Sequence, residues 1–202
     1  MRSERVTFPG AFGHELAARL DRAEAEPRGY ALFAHCFTCS KDLKATARIG
    51  RALVERGIAV VRFDFTGLGE SEGDFADTNF SSNMQDLLAA VDFMREHLEA
   101  PKLLIGHSLG GAAVLAMASQ VPEAVAVATL GAPGDPMHLR EGILRSAPEL
   151  SEKDEAEVVL AGRPFRIRRQ FLDDLANQGV LNAAKTMNKP LLILHSPLDE
   201  VV

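Results

Sequence analysis

Short apolar runs alternate with amphipathic stretches along most of the chain, from about residue 29 onward. Five of the apolar runs are compact enough to be buried strands: YALFAHCF (30–37), IAVVRFDF (58–65), KLLIGHS (102–108), AVAVATLGAP (124–133) and KPLLILHS (189–196). The stretches between them that carry apolar residues at helical spacing are 42–57, about 81–97 and 109–120. Buried strands alternating with helices predict an α/β fold with a mostly parallel, doubly wound sheet.

The pattern changes on both sides of this alternating region. Ahead of it, RVTFPG (5–10) and HELAARLD (14–21) are typical of an antiparallel hairpin at a sheet edge. The interval from about 134 to 188 is charged, shows no strong strand pattern and is too long for a simple connection. We interpret it as a mostly helical lid over the carboxyl edge of the sheet, inserted into a single domain that spans residues 1–202. Its arginines precede two aspartates, which indicates a solvated, salt-bridged face.

Composition and charge narrow the possible partners. The 202 residues are 47% hydrophobic and carry a net charge of −6, so we expect one globular core without attraction to nucleic acid or anionic membranes. The apolar stretch between Leu103 and Leu130 is interrupted by polar residues, which argues against a transmembrane span. The two cysteines do not make a disulfide framework, and no secretory signal is visible, so we expect a cytoplasmic protein. No cluster has metal-ligand spacing, and we expect neither metal nor cofactor.

The segment Gly106-His-Ser108-Leu-Gly110 stands where an apolar strand gives way to a helix. This is the context of a nucleophile elbow, in which Ser108 occupies a strained turn and small residues two positions away prevent clashes. The hydroxyl of Ser108 would stand above the sheet, and the amide of Leu109 could point at a developing oxyanion. The alternative is a glycine-rich turn whose serine only caps the helix.

Taken together, these motifs resemble the α/β-hydrolases, and more narrowly the hydrolase half of bacterial proteins in which that domain is fused to an OsmC-like domain. The segments that carry the resemblance are HCFTCSKD (35–42), RFDFTGLGESEGDFADTNFSSN (62–83), IGHSLGGAA (105–113), GRPFRIRRQFLDDL (162–175) and LHSPLDEVV (194–202). The resemblance implies an OsmC-like domain as a fused or associated partner. It also implies the α/β-hydrolase fold and a small-molecule acyl substrate.

The resemblance assigns further roles around Ser108. The amide of Phe37 becomes the second oxyanion donor, facing Leu109. Asp199 becomes the triad acid, with Glu200 as its close competitor. His35, Cys36 and His107 flank the pocket.

Asp64 is expected to tie the loop that follows its strand by hydrogen bonds.

The histidine base is the member of the triad that these assignments do not supply. In this fold it follows the acid by one more helix and strand, whereas the six histidines of the chain all precede Asp199. We therefore expect the chain to be incomplete at its C-terminus, to lack the final helix and strand, and to be catalytically crippled and marginally stable as it stands. His138, in the lid, is the single conceivable substitute.

The pair Cys36 and Cys39 allows two interpretations. A C-x-x-C pair can be a redox-active dithiol, but we favour two thiols that only pack beside the pocket. The leading functional hypothesis is an acyl hydrolase that works through an acyl-enzyme at Ser108. The alternatives are a binding or regulatory module without turnover, and a thiol redox partner that uses the two cysteines.

Overall fold

A computed structural model describes residues 1–36, 39–160 and 162–199. Within these residues the strands are β1 (Arg2–Pro9), β2 (Glu15–Arg22), β3 (Gly29–Ala34), β4 (Ile58–Phe63), β5 (Leu103–His107), β6 (Ala126–Leu130), β7 (Glu155–Leu160), β8 (Arg163–Arg168) and β9 (Leu191–Leu194). The helices are α1 (Lys44–Val54), α2 (Phe80–His97), α3 (Leu109–Met117), α4 (Met137–Ser146), α5 (Arg169–Leu175) and α6 (Val180–Thr186).

One large sheet contains seven of these strands, in the order β1-β2-β4-β3-β5-β6-β9. The five strands from β4 to β9 in that order run parallel, and each corresponds to one of the apolar runs in the sequence. The hairpin expected at the N-terminus is also present, because β1 pairs with β2 in antiparallel register and β2 then pairs antiparallel with β4. The prediction of a mostly parallel sheet is therefore confirmed.

Helices cover both faces of the sheet because successive strand residues point in opposite directions. On one face, Phe33, Val60 and Ile105 pack with Val54 of α1. On the other face, a larger cluster joins the alternate strand residues to α2 and α3. The side chain of Met94, in α2, is fully buried there. This two-sided core holds the carboxyl ends of β3, β4 and β5 side by side, which is where the sequence places its candidate chemistry.

The start of α2 differs in detail from the expected one. Asn79, which lies ahead of the stretch of about 81–97 expected from the sequence, caps the helix, and its side chain accepts a hydrogen bond of 2.8 Å from the amide of Ser82. Ser82 completes a capping box by accepting from the Asn79 amide. Ser81 instead joins α2 to α5, since its amide and hydroxyl both donate to the carboxylate of Asp174.

The inserted region departs from the expectation of a segment without strands. Alongside α4, α5 and α6 it contains an antiparallel hairpin of β7 and β8. The inward residues Val158 and Ile167 are buried, while four of the outward positions hold the charged residues Glu155, Glu157, Arg166 and Arg168. Six-residue strands with so many charges have too few apolar positions to stand out in the sequence. The hairpin packs against Phe75 through Phe165, whose ring lies 5.5 Å away. That the insertion acts as a lid stays a prediction.

No helix in the described part of the chain is both long and apolar enough to cross a membrane.

Candidate active site

Ser108 sits in the turn between β5 and α3 with a backbone that few residues other than glycine adopt. Its φ is 53° and its ψ is −128°. For a residue with a side chain this left-handed conformation is strained, and such strain persists where the surroundings enforce it. The Ser108 amide donates to the carbonyl of Leu130 at 2.8 Å, and its own carbonyl accepts from Gly111. The side chain makes no capping hydrogen bond to α3, so the structure contradicts the helix-cap alternative.

The glycines around Ser108 are required by close backbone contacts. A Cβ on Gly106 would lie 2.4 Å from the carbonyl oxygen of Gly110, and a Cβ on Gly110 would lie 2.3 Å from the carbonyl oxygen of His35. Both distances are far below van der Waals contact, and in each case the clashing atom belongs to the backbone. The turn can therefore form only with glycine at these positions, which explains the spacing seen in the sequence. The second contact also brings the loop after β3 against the start of α3.

The structure describes one of the two candidate oxyanion donors, Leu109, and not the other, Phe37. Leu109 is the first residue of α3 and is buried, and an amide in the first turn of a helix has no partner within that helix. Phe37 lies outside the described residues, so its role as second donor stays a prediction. The residues before it, His35 and Cys36, are buried at the carboxyl end of β3.

A buried ionic group supports the loop that follows β3. The carboxylate of Asp64 is fully buried and accepts hydrogen bonds from the Lys41 ammonium at 2.7 Å and the Lys41 amide at 2.6 Å. Its other contacts are the amide of Glu70 at 3.0 Å and Nε2 of His35 at 3.4 Å. Because His35 and Lys41 lie at the two ends of the same loop, Asp64 ties that loop to the end of β4. The hydrogen bond from the Glu70 amide ties the loop after β4 and confirms the predicted role of Asp64, whereas its contacts with the loop after β3 were not predicted.

Charge is stabilised in this group despite its burial. Burial alone would raise the pKa of Asp64, but the contacts with His35 and Lys41 and the two backbone amides outweigh it and hold that pKa well below its usual range. Burial would likewise lower the pKa of Lys41, yet hydrogen bonds to Asp64 and Glu70 raise it overall. Both groups are therefore ionised at neutral pH. We refer to Asp64, Lys41, His35 and Glu70 as the Asp64 cluster.

The two cysteines differ from the expected pair of free thiols. Cys36 and Cys39 form a disulfide, with their Cα atoms 5.3 Å apart. Cys36 is buried and Cys39 is half-buried. The sulfur atoms of this pair and a ring nitrogen of His107 all lie within 4.8 Å of one another. Spacing along the sequence did not indicate this group, because its third member comes from a distant part of the chain that only folding brings close. The expectation that the protein holds no metal stays a prediction.

Asp199 and His107 meet at a cavity of about 280 Å³ beyond the carboxyl ends of β6 and β9. The amide of Asp199 donates to the carbonyl of Ser196, and its carboxylate lies 3.5 Å from Nε2 of His195. Burial lowers the pKa of His107, the nearby His35 lowers it further, and Asp199 acts in the opposite direction. The structure thus places the candidate acid beside the residue that precedes Ser108. Its competitor Glu200 lies outside the described residues.

Two of the histidines that could be candidates for the base, His138 and His97, contact residues of their own segments. His138, the conceivable substitute, has its Nδ1 2.6 Å from the carbonyl oxygen of Asp135 within the insertion. His97 stacks on Phe93 at the end of α2. Among residues 1–36, 39–160 and 162–199, no hydrogen bond joins a histidine to the hydroxyl of Ser108.

Comparisons with known proteins agree with this fold. The family described as serine aminopeptidase S33 matches residues 25–156. The esterase domain of a Rhodothermus marinus protein is 53% identical, with a TM-score of 0.79 over 100% of this chain and 79% of that one. Est1E from Butyrivibrio proteoclasticus, in a structure with bound ferulic acid, is 24% identical and has a TM-score of 0.85 over 98% of this chain and 81% of its own.

A curated relative adds a second kind of acyl hydrolase. Mouse palmitoyl-protein thioesterase ABHD10, a mitochondrial protein, is 27% identical over 157 residues, which cover 72% of this chain and 50% of the relative. The chain therefore spans about half the length of the first curated relatives it matches. The fusion to an OsmC-like domain stays a prediction. From the family match and the Rhodothermus marinus domain, the chain belongs to the serine aminopeptidase S33 family and has the α/β-hydrolase fold.

Proposed function

We propose that this protein hydrolyses ester or thioester bonds of small acyl substrates, with Ser108 as the nucleophile. The observation that carries the proposal is the left-handed backbone of Ser108 at the turn from β5 to α3. A strained serine that is not used as a helix cap fits a side chain held out for reaction. The matching relatives named esterase and thioesterase support acyl transfer to water.

The reaction would proceed through a covalent acyl-enzyme. The Ser108 oxygen attacks the acyl carbonyl while its proton passes to a histidine base that Asp199 orients. The negative charge that develops on the carbonyl oxygen is stabilised by the amides of Leu109 and Phe37. The proton then moves from the histidine to the departing alcohol or thiol. Water, activated by the same base, releases the carboxylic acid and restores the Ser108 hydroxyl.

We favour esters and thioesters over peptides as the substrate class. The family is described as serine aminopeptidase, but the Rhodothermus marinus domain with 53% identity is an esterase domain, and the curated relative is a thioesterase. Alkoxide and thiolate are also better leaving groups than an amine, so the same nucleophile and oxyanion donors hydrolyse esters and thioesters more readily.

The nucleophile can be tested directly on the protein made from its complete reading frame. A fluorophosphonate probe should label Ser108, and the Ser108→Ala variant should lose labelling together with roughly 10⁴-fold or more of its activity on short acyl esters and thioesters. Ser151→Ala, at an exposed serine of the insertion, is the matched control and should behave as the unmodified protein. Full activity in Ser108→Ala would exclude this mechanism, and absence of turnover in the unmodified protein would favour a binding module.

The triad acid is tested by substitutions at Asp199 and Glu200, five and six residues beyond the end of β9 in the sequence. Asp199→Asn should lower kcat by roughly 10⁴-fold, because an amide cannot stabilise the charged histidine that forms. Glu200→Gln should change kcat by no more than a few-fold. The reverse ranking of the two variants would assign the acid to Glu200 and overturn the role of Asp199.

A further inference from the structure

Cys36, Cys39 and His107 reach one point from two different segments. The cysteines follow β3, and His107 is the last residue of β5. These strands are parallel neighbours in which Ala34 pairs with Gly106, so both chains leave the sheet at the same edge. Their two sulfur atoms and a ring nitrogen of His107 lie within 4.8 Å of one another.

The imidazole of His107 has a polar atom that the surrounding protein does not satisfy. Its Nδ1 is buried, and it has no hydrogen-bond partner among the described residues. A buried nitrogen without a hydrogen-bond partner is destabilising, so such atoms are rare unless they serve a purpose. The proposed hydrolysis gives this imidazole no task. Its neighbours include two sulfur atoms from a C-x-x-C segment, a spacing common in zinc sites.

We propose that, when the Cys36–Cys39 disulfide is reduced, Cys36, Cys39 and His107 bind a soft metal ion, with Zn²⁺ as the ion that best fits two thiolates and one imidazole. Thiolate and imidazole are the ligands that zinc prefers, and three protein ligands leave a fourth position for water or another molecule. The disulfide and the metal-bound form are then alternative states of the same residues.

An external dithiol supplies the two electrons that reduce the Cys36–Cys39 disulfide. One thiolate of the dithiol attacks Sγ of Cys39, the more exposed sulfur, and the leaving group is the thiolate of Cys36. The second thiol of the reductant closes its own disulfide and releases Cys39. Two electrons have passed to the protein sulfurs, which take up two protons. Zinc binding then displaces one proton from each thiol, while His107 contributes a nitrogen lone pair.

The proposal does not depend on hydrolysis. His107 precedes Ser108, so a bound ion would border the candidate active site, but the claim concerns metal uptake alone. It can therefore fail while the serine mechanism stands, and it can hold if the mechanism fails.

The experiment measures zinc bound per chain in two redox states. The chain is reduced with dithiothreitol, which is removed by anaerobic gel filtration, and is then dialysed against Zn²⁺ and assayed by atomic absorption. We expect one Zn²⁺ per reduced chain and none in the chain that keeps its disulfide. Cys36→Ser and Cys39→Ser should each abolish stoichiometric binding. His107→Ala should weaken it at least about tenfold, whereas His138→Ala should match the unmodified chain.

Two measurements guard against misleading results. Circular dichroism establishes that each variant is folded, and the absorption spectrum of the Co²⁺ form reports the thiolate ligands and changes when the imidazole is lost. The proposal is overturned if the folded, reduced chain takes up no stoichiometric zinc, or if dithiothreitol leaves the disulfide intact by mass spectrometry. It is equally overturned if His107→Ala binds as tightly as the unmodified chain, because the cysteines alone would then be the ligands.

Discussion

Charged side chains hold two segments against the rest of the molecule, one in the interior and one in solvent. The Asp64 cluster secures the loop after β3, and its Lys41 side chain is only 1% exposed. The hairpin of β7 and β8 is joined to the 3-10 turn of Phe75–Asp77 and its cap by Arg166 with Asp74 and Arg168 with Asp77. All four of these side chains are between 38% and 56% exposed.

The contrast shows that the same chemistry has different consequences in the two places. In solvent, water and salt compete with each ion pair, and most exposed pairs contribute little. In the interior, removing one partner leaves the other charge without solvation, and the penalty is large. His35 and Lys41 are therefore held in place by a buried charge, whereas the hairpin depends mainly on apolar contacts such as that of Phe165 with Phe75.

The largest effect is expected when the interior charge is removed. Asp64→Asn should destabilise the protein by about 3–5 kcal/mol, because the Lys41 ammonium stays buried without its main partner. Urea unfolding measures the change. Asp77→Asn, at an exposed pair of the hairpin, is the matched control, with an expected loss below about 1 kcal/mol. Equal losses in the two variants would contradict the distinction drawn from burial.

The pH dependence of the destabilisation caused by Asp64→Asn provides a second test of the buried charge. The pKa of Asp64 is held below its usual range in the folded protein, while in the unfolded chain it is roughly 4. Its contribution to stability is therefore complete above that unfolded value and declines as the pH falls toward the folded one. The difference in unfolding free energy between the unmodified protein and Asp64→Asn should be constant from pH 5 to 7 (a window set by the unfolded pKa of about 4) and should shrink below it. A difference that grows on acidification would refute the assignment.

Glycine substitutions extend the comparison to packing, in α3 next to the loop after β3 and in α4 of the inserted region. Gly110→Ala should destabilise the protein by at least roughly 1–3 kcal/mol, because the new methyl group would meet the carbonyl oxygen of His35 at 2.3 Å. Gly142→Ala, within α4 of the insertion, should stabilise it by up to about 1 kcal/mol, since its Cβ would meet only the end of the Arg145 side chain at 3.8 Å. Calorimetry of thermal unfolding should show a lower Tm for Gly110→Ala and a higher Tm for Gly142→Ala; the opposite sign in either variant would contradict the packing argument made for it.

The smallest effect is expected at the surface of the hairpin. In a double-mutant cycle of Arg166→Ala with Asp74→Ala, the coupling energy should be below about 1 kcal/mol and should fall further in high salt. A coupling energy of several kcal/mol that does not change with salt would contradict this, because it would mean that the hairpin is held by a strong ion pair like the one between Asp64 and Lys41.

Particular elements show how far the sequence could be used to predict this structure. The parallel strands and the helices α1, α2 and α3 were predictable because each has a continuous apolar pattern of the right period. The hairpin of β7 and β8 was missed because its buried residues, Val158 and Ile167, are few and stand among charges. The elbow was predictable because the glycine spacing reflects contacts within a few residues of Ser108.

The site shows the same division. Asp64 could be assigned a hydrogen-bonding role from its position after β4, but no sequence pattern indicated that Lys41 would be buried against it. A lysine in a polar stretch is normally solvated, and only the fold supplies the two carboxylates that make its burial tolerable.

By itself, the sequence determined the alternation of strands and helices and the turn at Ser108, because periodicity and steric contacts act over short distances along the chain. The tertiary structure alone decided that His107 meets Cys36 and Cys39, and that Asp199 lies beside the cavity lined by His107. His107 is 68 positions from Cys39 and 92 positions from Asp199 along the chain. No local pattern records such a distance, since it depends on which strands pair and at which register.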